Sequence, residues 1–208
     1  TYRDSLIETE TIVEGEWDPE NIKYRTGFDS LRVEMLSTFP PWEDREYSLL
    51  EHERPKKSLK VLWNVYKLYE RESRKVDFDP DEVTYEQLKD YLPKEDEWMF
   101  SKIERLKEEI DSEMGKKRFD LVISKIEDFV LRNLAQWYIG IARKRFSNDS
   151  EKNILSVLKV LHKSLHTVSI LLSPLAPHIS EEIFLSIESE KDTVFIEDYP
   201  SVNRLLLN

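Results

Sequence analysis

Apolar residues return every three or four positions along four long stretches, and this spacing predicts four amphipathic helices. The first runs from Lys56 to about Ser73, with Leu59, Leu62, Tyr66 and Tyr69 on one face. The second covers roughly 95–114 through Met99, Ile103, Leu106, Ile110 and Met114, and Gly115 closes it. The third opens at Asp120 and reaches about Phe146, with Ile126, Val130, Leu134, Trp137 and Ile141 as its core stripe. After the turn Ser147-Asn148-Asp149-Ser150, the fourth spans Glu151 to Leu172 with Ile154, Leu158, Leu161, Leu165, Val168 and Leu172 in register. Short turns between helices of this kind imply an all-α fold, an antiparallel helical bundle.

Punctuation residues place the shorter pieces. Asp18-Pro19-Glu20 reads as a helix start, and Asp29-Ser30 starts a short helix through Leu31, Met35 and Leu36 that Pro40-Pro41 ends. Ser48 is a candidate helix cap, and Pro55 interrupts or restarts the first long helix. Residues 76–95 carry Pro80, Pro93 and many acids and read as a connector with at most a turn or two of helix. Ser173-Pro174 breaks the fourth long helix, Pro177 to about Ile187 forms a short fifth, and Thr193-Val194-Phe195-Ile196 reads as extended. This divides the chain into an arm (1–17), a junction (18–54), a bundle (55–188) and a tail (189–208).

Composition narrows the function classes. The balance of 31 basic and 42 acidic residues gives −11, which disfavours indiscriminate binding to nucleic acid or anionic membrane, so any RNA contact requires a local basic face. With no cysteine, disulfides, thiolate zinc sites and cysteine nucleophiles are excluded, and a reducing, cytoplasmic setting is expected. No membrane span and no signal peptide are apparent, and the start at Thr1 suggests a piece of a longer protein. The four scattered glycines form no phosphate-binding loop, and no G-x-S-x-G, Walker or H-E-x-x-H signature occurs.

His162 and His166 share a helix face at i and i+4, but Lys163 and the lack of a third ligand favour ordinary bundle histidines over a metal site. Trp63, Trp98, Trp137 and Tyr138 lie in helix-period stretches and are expected to pack, while Trp42 is a candidate lid on the end of the bundle. The first long helix sorts its charges. Lys57, Lys60, Asn64, Lys67, Arg71 and Arg74 recur at three and four, opposite the apolar face, with Glu70 and Glu72 outside the stripe. An acid-free basic face about 25 Å long suits a phosphate backbone, and equally suits a solvated surface that happens to be basic. Arg143-Lys144-Arg145 and Lys116-Lys117-Arg118 are further basic clusters, each also placed to complement a helix dipole.

Several segments, in order, resemble the anticodon-binding helical domain of class Ia aminoacyl-tRNA synthetases, and within that group the isoleucine enzymes. They are Phe28-Asp29-Ser30-Leu31-Arg32 through Pro40-Pro41-Trp42-Glu43-Asp44, then Leu62-Trp63-Asn64-Val65-Tyr66, then Asp96-Glu97-Trp98 with Ser101. Gln136-Trp137-Tyr138-Ile139 with Arg143 and Arg145-Phe146 comes next, and the run from Ser173-Pro174-Leu175 to Glu182-Ile183 completes the set. The family's two ATP-handling signatures, HIGH and KMSKS, are missing, and Lys56-Lys57-Ser58-Leu59 lies inside the first long helix and is no substitute. The resemblance implies a fragment that binds and positions an isoleucine-accepting tRNA, inactive alone, with ATP and magnesium handled by the remainder of the synthetase. It also implies that Lys57, Lys60, Asn64, Lys67 and Arg71, together with Arg143 and Arg145, face the anticodon stem-loop. The alternative is a non-catalytic protein-interaction module on the same fold.

Overall fold

The computed structural model describes residues 27–37, 42, 53–88, 92–148, 150–188 and 190–207. The expected arm over 1–17, the helix start at Asp18-Pro19, the Pro40-Pro41 stop and the Ser48 cap lie outside the described residues. Among those described, the main helices run in the order α1 (Phe28–Ser37), α2 (Glu53–Lys75), the single turn α3 (Tyr85–Leu88), α4 (Lys94–Gly115), α5 (residues 119–148), α6 (Glu151–Leu172) and α7 (Pro177–Ile187). No strand occurs among the described residues. Pro55 sits in the first turn of α2, where its missing N–H breaks no intrahelical bond, so the helix runs through it. Gly115 ends α4, but the left-handed position falls two residues later, at Lys117 (φ 58°). The stretch expected to be extended holds a 3-10 turn, Val194–Ile196, with the Thr193 hydroxyl accepting from the Phe195 N–H.

Helix α6 is the centre of the bundle and contacts α2, α4, α5 and α7. Its Leu158, Leu161, Leu165 and Val168 are fully buried, as are Met99, Ile103 and Ile110 of α4, while α2 contributes Leu59, Leu62, Tyr66 and Tyr69. By length and composition α6 could cross a membrane, contrary to the sequence reading; 72% of its most apolar stretch is buried in the bundle, as befits a core helix.

Helix α5 departs from expectation in its winding. Residues Phe119–Asp128 and Ile139–Asn148 are α-helical, and Phe129–Tyr138 between them form a π-helix, with the Ile139 N–H reaching back five residues to the Leu134 carbonyl. The wider winding shifts the buried stripe by one residue. Ile126, Val130 and Leu134 are buried as the spacing predicts, but Tyr138, Ala142 and Arg145 continue the stripe in place of Trp137 and Ile141.

Helix α1 is fastened to the bundle at the turn between α6 and α7. The Asp29 carboxylate accepts from the N–H groups of His178 and Ile179 at 3.2 and 2.7 Å, capping the N-terminus of α7 from outside the helix. One turn on, the Arg32 guanidinium donates to the carbonyls of Pro174 and Leu175 just beyond α6. The segment running from Ser173 to Ile183 thus holds the junction helix by its exposed backbone groups.

Candidate nucleic-acid interface

The apolar face of α2 turns inward, which leaves Lys57, Lys60, Asn64, Lys67, Arg71 and Arg74 exposed on the other side. This stripe is not acid-free. Glu70 accepts from Lys67 and Arg74, each at 2.8 Å, and the buried Glu72 takes Arg71 and Lys75 at 2.8 and 2.7 Å. Carboxylates one turn from Lys67, Arg74 and Lys75 reach them along the helix surface, and Glu72 also takes the adjacent Arg71, so positions outside the stripe still neutralise its C-terminal half. The Lys67 hydrogen bond, outweighing partial burial, holds Glu70 below the usual carboxylate range. For Glu72 burial pushes the other way, and the bonds from Lys75 and Arg71 overcome it.

Between α2 and the end of α5 lies a groove of about 520 Å³ lined by Asn64, Lys67, Leu68, Arg71, Glu72 and Lys75 from one helix and Arg143, Phe146 and Ser147 from the other. It joins four of the expected residues, Asn64, Lys67, Arg71 and Arg143. The side chains of Asn64 and Arg143 make no hydrogen bond or ion pair with a described residue, so an amide and a guanidinium remain for a ligand. Lys57 and Lys60 continue the same exposed face beyond the groove. Sequence reasoning missed Lys75, four residues after Arg71, and Phe146, whose half-buried ring requires knowing how α5 meets α2.

Arg145 does not belong to this interface. It is 9% exposed, and its guanidinium grips Asp96 through two 2.8 Å contacts, with Glu95 at 3.3 Å. Asp96 also accepts from Tyr138 at 2.8 Å and Ser156 at 2.7 Å, so the arginine is locked in a buried network and cannot reach a phosphate. The Lys116–Arg118 cluster is held locally: Lys116 pairs with Glu113, and Arg118 forks onto Asp120 and lies 5.8 Å from the Trp42 ring centroid. Trp42 is 65% exposed. Trp63 packs against the core and Tyr138 is wholly buried, as expected. Trp98 and Trp137 are not: they are 37% and 40% exposed, the second because of the π winding.

His162 and His166 both face Glu188, at 3.2 and 3.6 Å, and among the described residues no group of three or more histidine, aspartate or glutamate side chains is arranged to hold a metal ion. Burial pushes His166 down to about 4, with Lys163 and His162 adding to the shift and Glu188 and Glu197 opposing it. A histidine that protonates near 6.5 when unfolded and near 4 when folded binds more protons in the unfolded state between those values. Its neutral form therefore supports the fold fully above pH 6.5, and that support is lost as pH falls toward 4, by on the order of 2–3 kcal/mol. Urea midpoints measured from pH 7 to 4.5 should fall more steeply for the wild type than for His166→Gln; parallel profiles would refute the assignment.

A family model described as the anticodon-binding domain of tRNA ligase matches residues 96–207. Among curated relatives, the isoleucine–tRNA ligase of Methanopyrus kandleri is 32% identical over 192 residues, covering 89% of this chain and 18% of that protein. That of Methanosarcina mazei is 30% identical over 196 residues, covering 91% and 18%. The chain thus spans less than a fifth of the length of these relatives. Among solved structures, the LeuRS of Agrobacterium radiobacter K84, in ternary complex with tRNA and LeuAMS, matches with a TM-score of 0.65 at 18% identity, over 92% of this chain and 22% of that one. That likeness shows a shared fold.

Proposed function

The chain belongs to the anticodon-binding domain family of tRNA ligases, and from that membership we propose that it docks the anticodon arm of an isoleucine-accepting tRNA within a cytoplasmic isoleucine–tRNA ligase. The observation that carries this reading is the groove in which Asn64, Lys67 and Arg71 meet Arg143. In an anticodon stem-loop, phosphates and unpaired bases lie close together. Lys67, Arg71 and Arg143 would neutralise phosphate, with Lys57 and Lys60 extending the track, while the Asn64 amide would offer a donor and an acceptor to a base edge. Glu70 and Glu72 hold the cations in place before RNA arrives and moderate their pull on other polyanions.

The role is binding and positioning. Joining isoleucine to tRNA with ATP and magnesium would fall to the rest of such a ligase, and no chemical step is assigned to the described residues. The triple variant Lys67→Gln/Arg71→Gln/Arg143→Gln tests the groove. Each lost phosphate contact should lower the slope of log affinity against log salt by roughly 0.7–0.9 for the isoleucine anticodon stem-loop. The control Lys116→Gln/Lys125→Gln/Lys191→Gln removes three cations that, like Lys67 and Arg71, are ion-paired but lie elsewhere, and should change the slope less. Equal slopes for both triple variants and the wild type would remove the groove from the interface and favour the protein-interaction reading.

A further inference from the structure

We propose that the exposed Trp98–Trp137 pair is a second contact for the same RNA, a platform on which one unpaired base of the loop stacks. This rests on the groove being an RNA site and extends it across the outer ridge of α5. The two rings have centroids 4.3 Å apart and planes at 55°, so they touch without a full overlap of faces. Large aromatic side chains left at a surface mark contact sites when polar groups converge on them. Here Lys102 Nζ lies 5.1 Å from the Trp98 ring centroid, and Lys144 is exposed on the same side of α5 as Trp137. Neither lysine makes an ion pair with a described acid, which favours a polyanion over an apolar protein face.

Gly140 supplies an independent observation. It lies within the helix between Trp137 and Arg143 and is exposed, and a Cβ added there would meet nothing within 4 Å. Alanine would be the better helix former, so the bundle itself gains nothing from a glycine at this position. A strand crossing the ridge does gain, because bare backbone lets it pass closely from the Arg143 guanidinium to the Trp137 ring. The two positions are six residues apart, about 9 Å along the axis, a span that neighbouring nucleotides of one loop can bridge. Stacking on tryptophan tolerates any base, so the platform would contribute affinity and orientation while the groove reads sequence.

The test uses the full 208-residue chain, a synthetic isoleucine anticodon stem-loop and the same stem carrying an abasic loop. Trp137→Leu should weaken binding of the intact stem-loop by about 5- to 150-fold, leave the salt slope unchanged and have little effect on the abasic form. Gly140→Ala should raise the thermal midpoint by roughly 2–4 °C and yet weaken the same binding, two changes that a purely structural glycine would not combine. Wild-type affinity in both variants, alongside impaired binding in the groove variant, would overturn the platform and leave the groove reading intact. Equal weakening of intact and abasic forms would show that no base stacks there. Retained RNA affinity with altered self-association in Trp137→Leu would make the patch a protein-docking face and likewise overturn the proposal. If the wild-type chain binds neither stem-loop, the groove reading fails first and the platform with it.

Discussion

Asp96→Ala should cost the bundle roughly 3–5 kcal/mol of folding stability, the penalty typical of stripping one partner from a buried ion pair. Asp96 is fully buried at the start of α4 and receives Arg145 and Tyr138 from α5 and Ser156 from α6. It ties three helices at one point. Burial, and next the neighbouring Asp96 charge, push the Tyr138 hydroxyl well above its ordinary range, so it remains a donor at any pH the protein would meet. Without the carboxylate, the Tyr138 hydroxyl loses its acceptor in the interior, Arg145 keeps only Glu95 at 3.3 Å, and Ser156 keeps only the Asn153 carbonyl at 3.0 Å. Equilibrium urea unfolding would show this as a lower midpoint with an unchanged slope. Asp96→Leu/Arg145→Met should recover part of the loss, because removing both charges leaves no buried charge unpaired and only the Tyr138 hydroxyl without its acceptor. A single variant within about 0.5 kcal/mol of wild type would mean that water reaches the network.

Lys107→Met should release the C-terminal segment and destabilise the fold by up to about 3–5 kcal/mol. Lys107 and Glu104 sit one turn apart on α4, with side chains only 4% and 2% exposed, and their contact is 2.7 Å. Each also holds the tail: Lys107 donates to the Ser201 carbonyl at 3.3 Å, and Glu104 accepts from the Asn203 N–H at 2.7 Å. Removing the ammonium leaves a buried carboxylate, and the cheapest relief is for the tail to peel away and admit water. Limited proteolysis read by mass spectrometry should then show cleavage within residues 197–207 under conditions where the bundle stays intact. A tail as resistant as the wild type's would argue against this clamp.

Helix existence was legible because the signal is local. On α2, spacing alone separated Leu59, Leu62, Tyr66 and Tyr69 from the basic stripe, and both faces point as their periodicity requires. What spacing does not carry is the reach of a flexible acid, so Glu70 and Glu72 entered the stripe unannounced. Arg143 and Arg145 differ by two residues, about 200° on a helix, which by itself forbids both from facing one ligand. Which of the two turns inward depends on the phase of α5, and that phase is set by a π winding with no periodic signature of its own. The groove needed the same information, since one wall comes from α2 and the other from the last two turns of α5.

The π winding also governs how residues of this helix can be matched between related chains. Ten residues wound wider than α reach the same height with more amino acids, so a relative whose corresponding helix is α throughout arrives at the groove in a different phase. Aligned without a gap, such a pair would look continuous while the inward residue of one chain stood beside an outward residue of the other. Roles carried across by column would then swap between Trp137 and Tyr138, or between Lys144 and Arg145, at the positions where one side chain faces solvent and its neighbour is sealed inside. Correspondence past residue 138 is therefore to be taken from burial, with the tyrosine that meets Asp96 as the reference point.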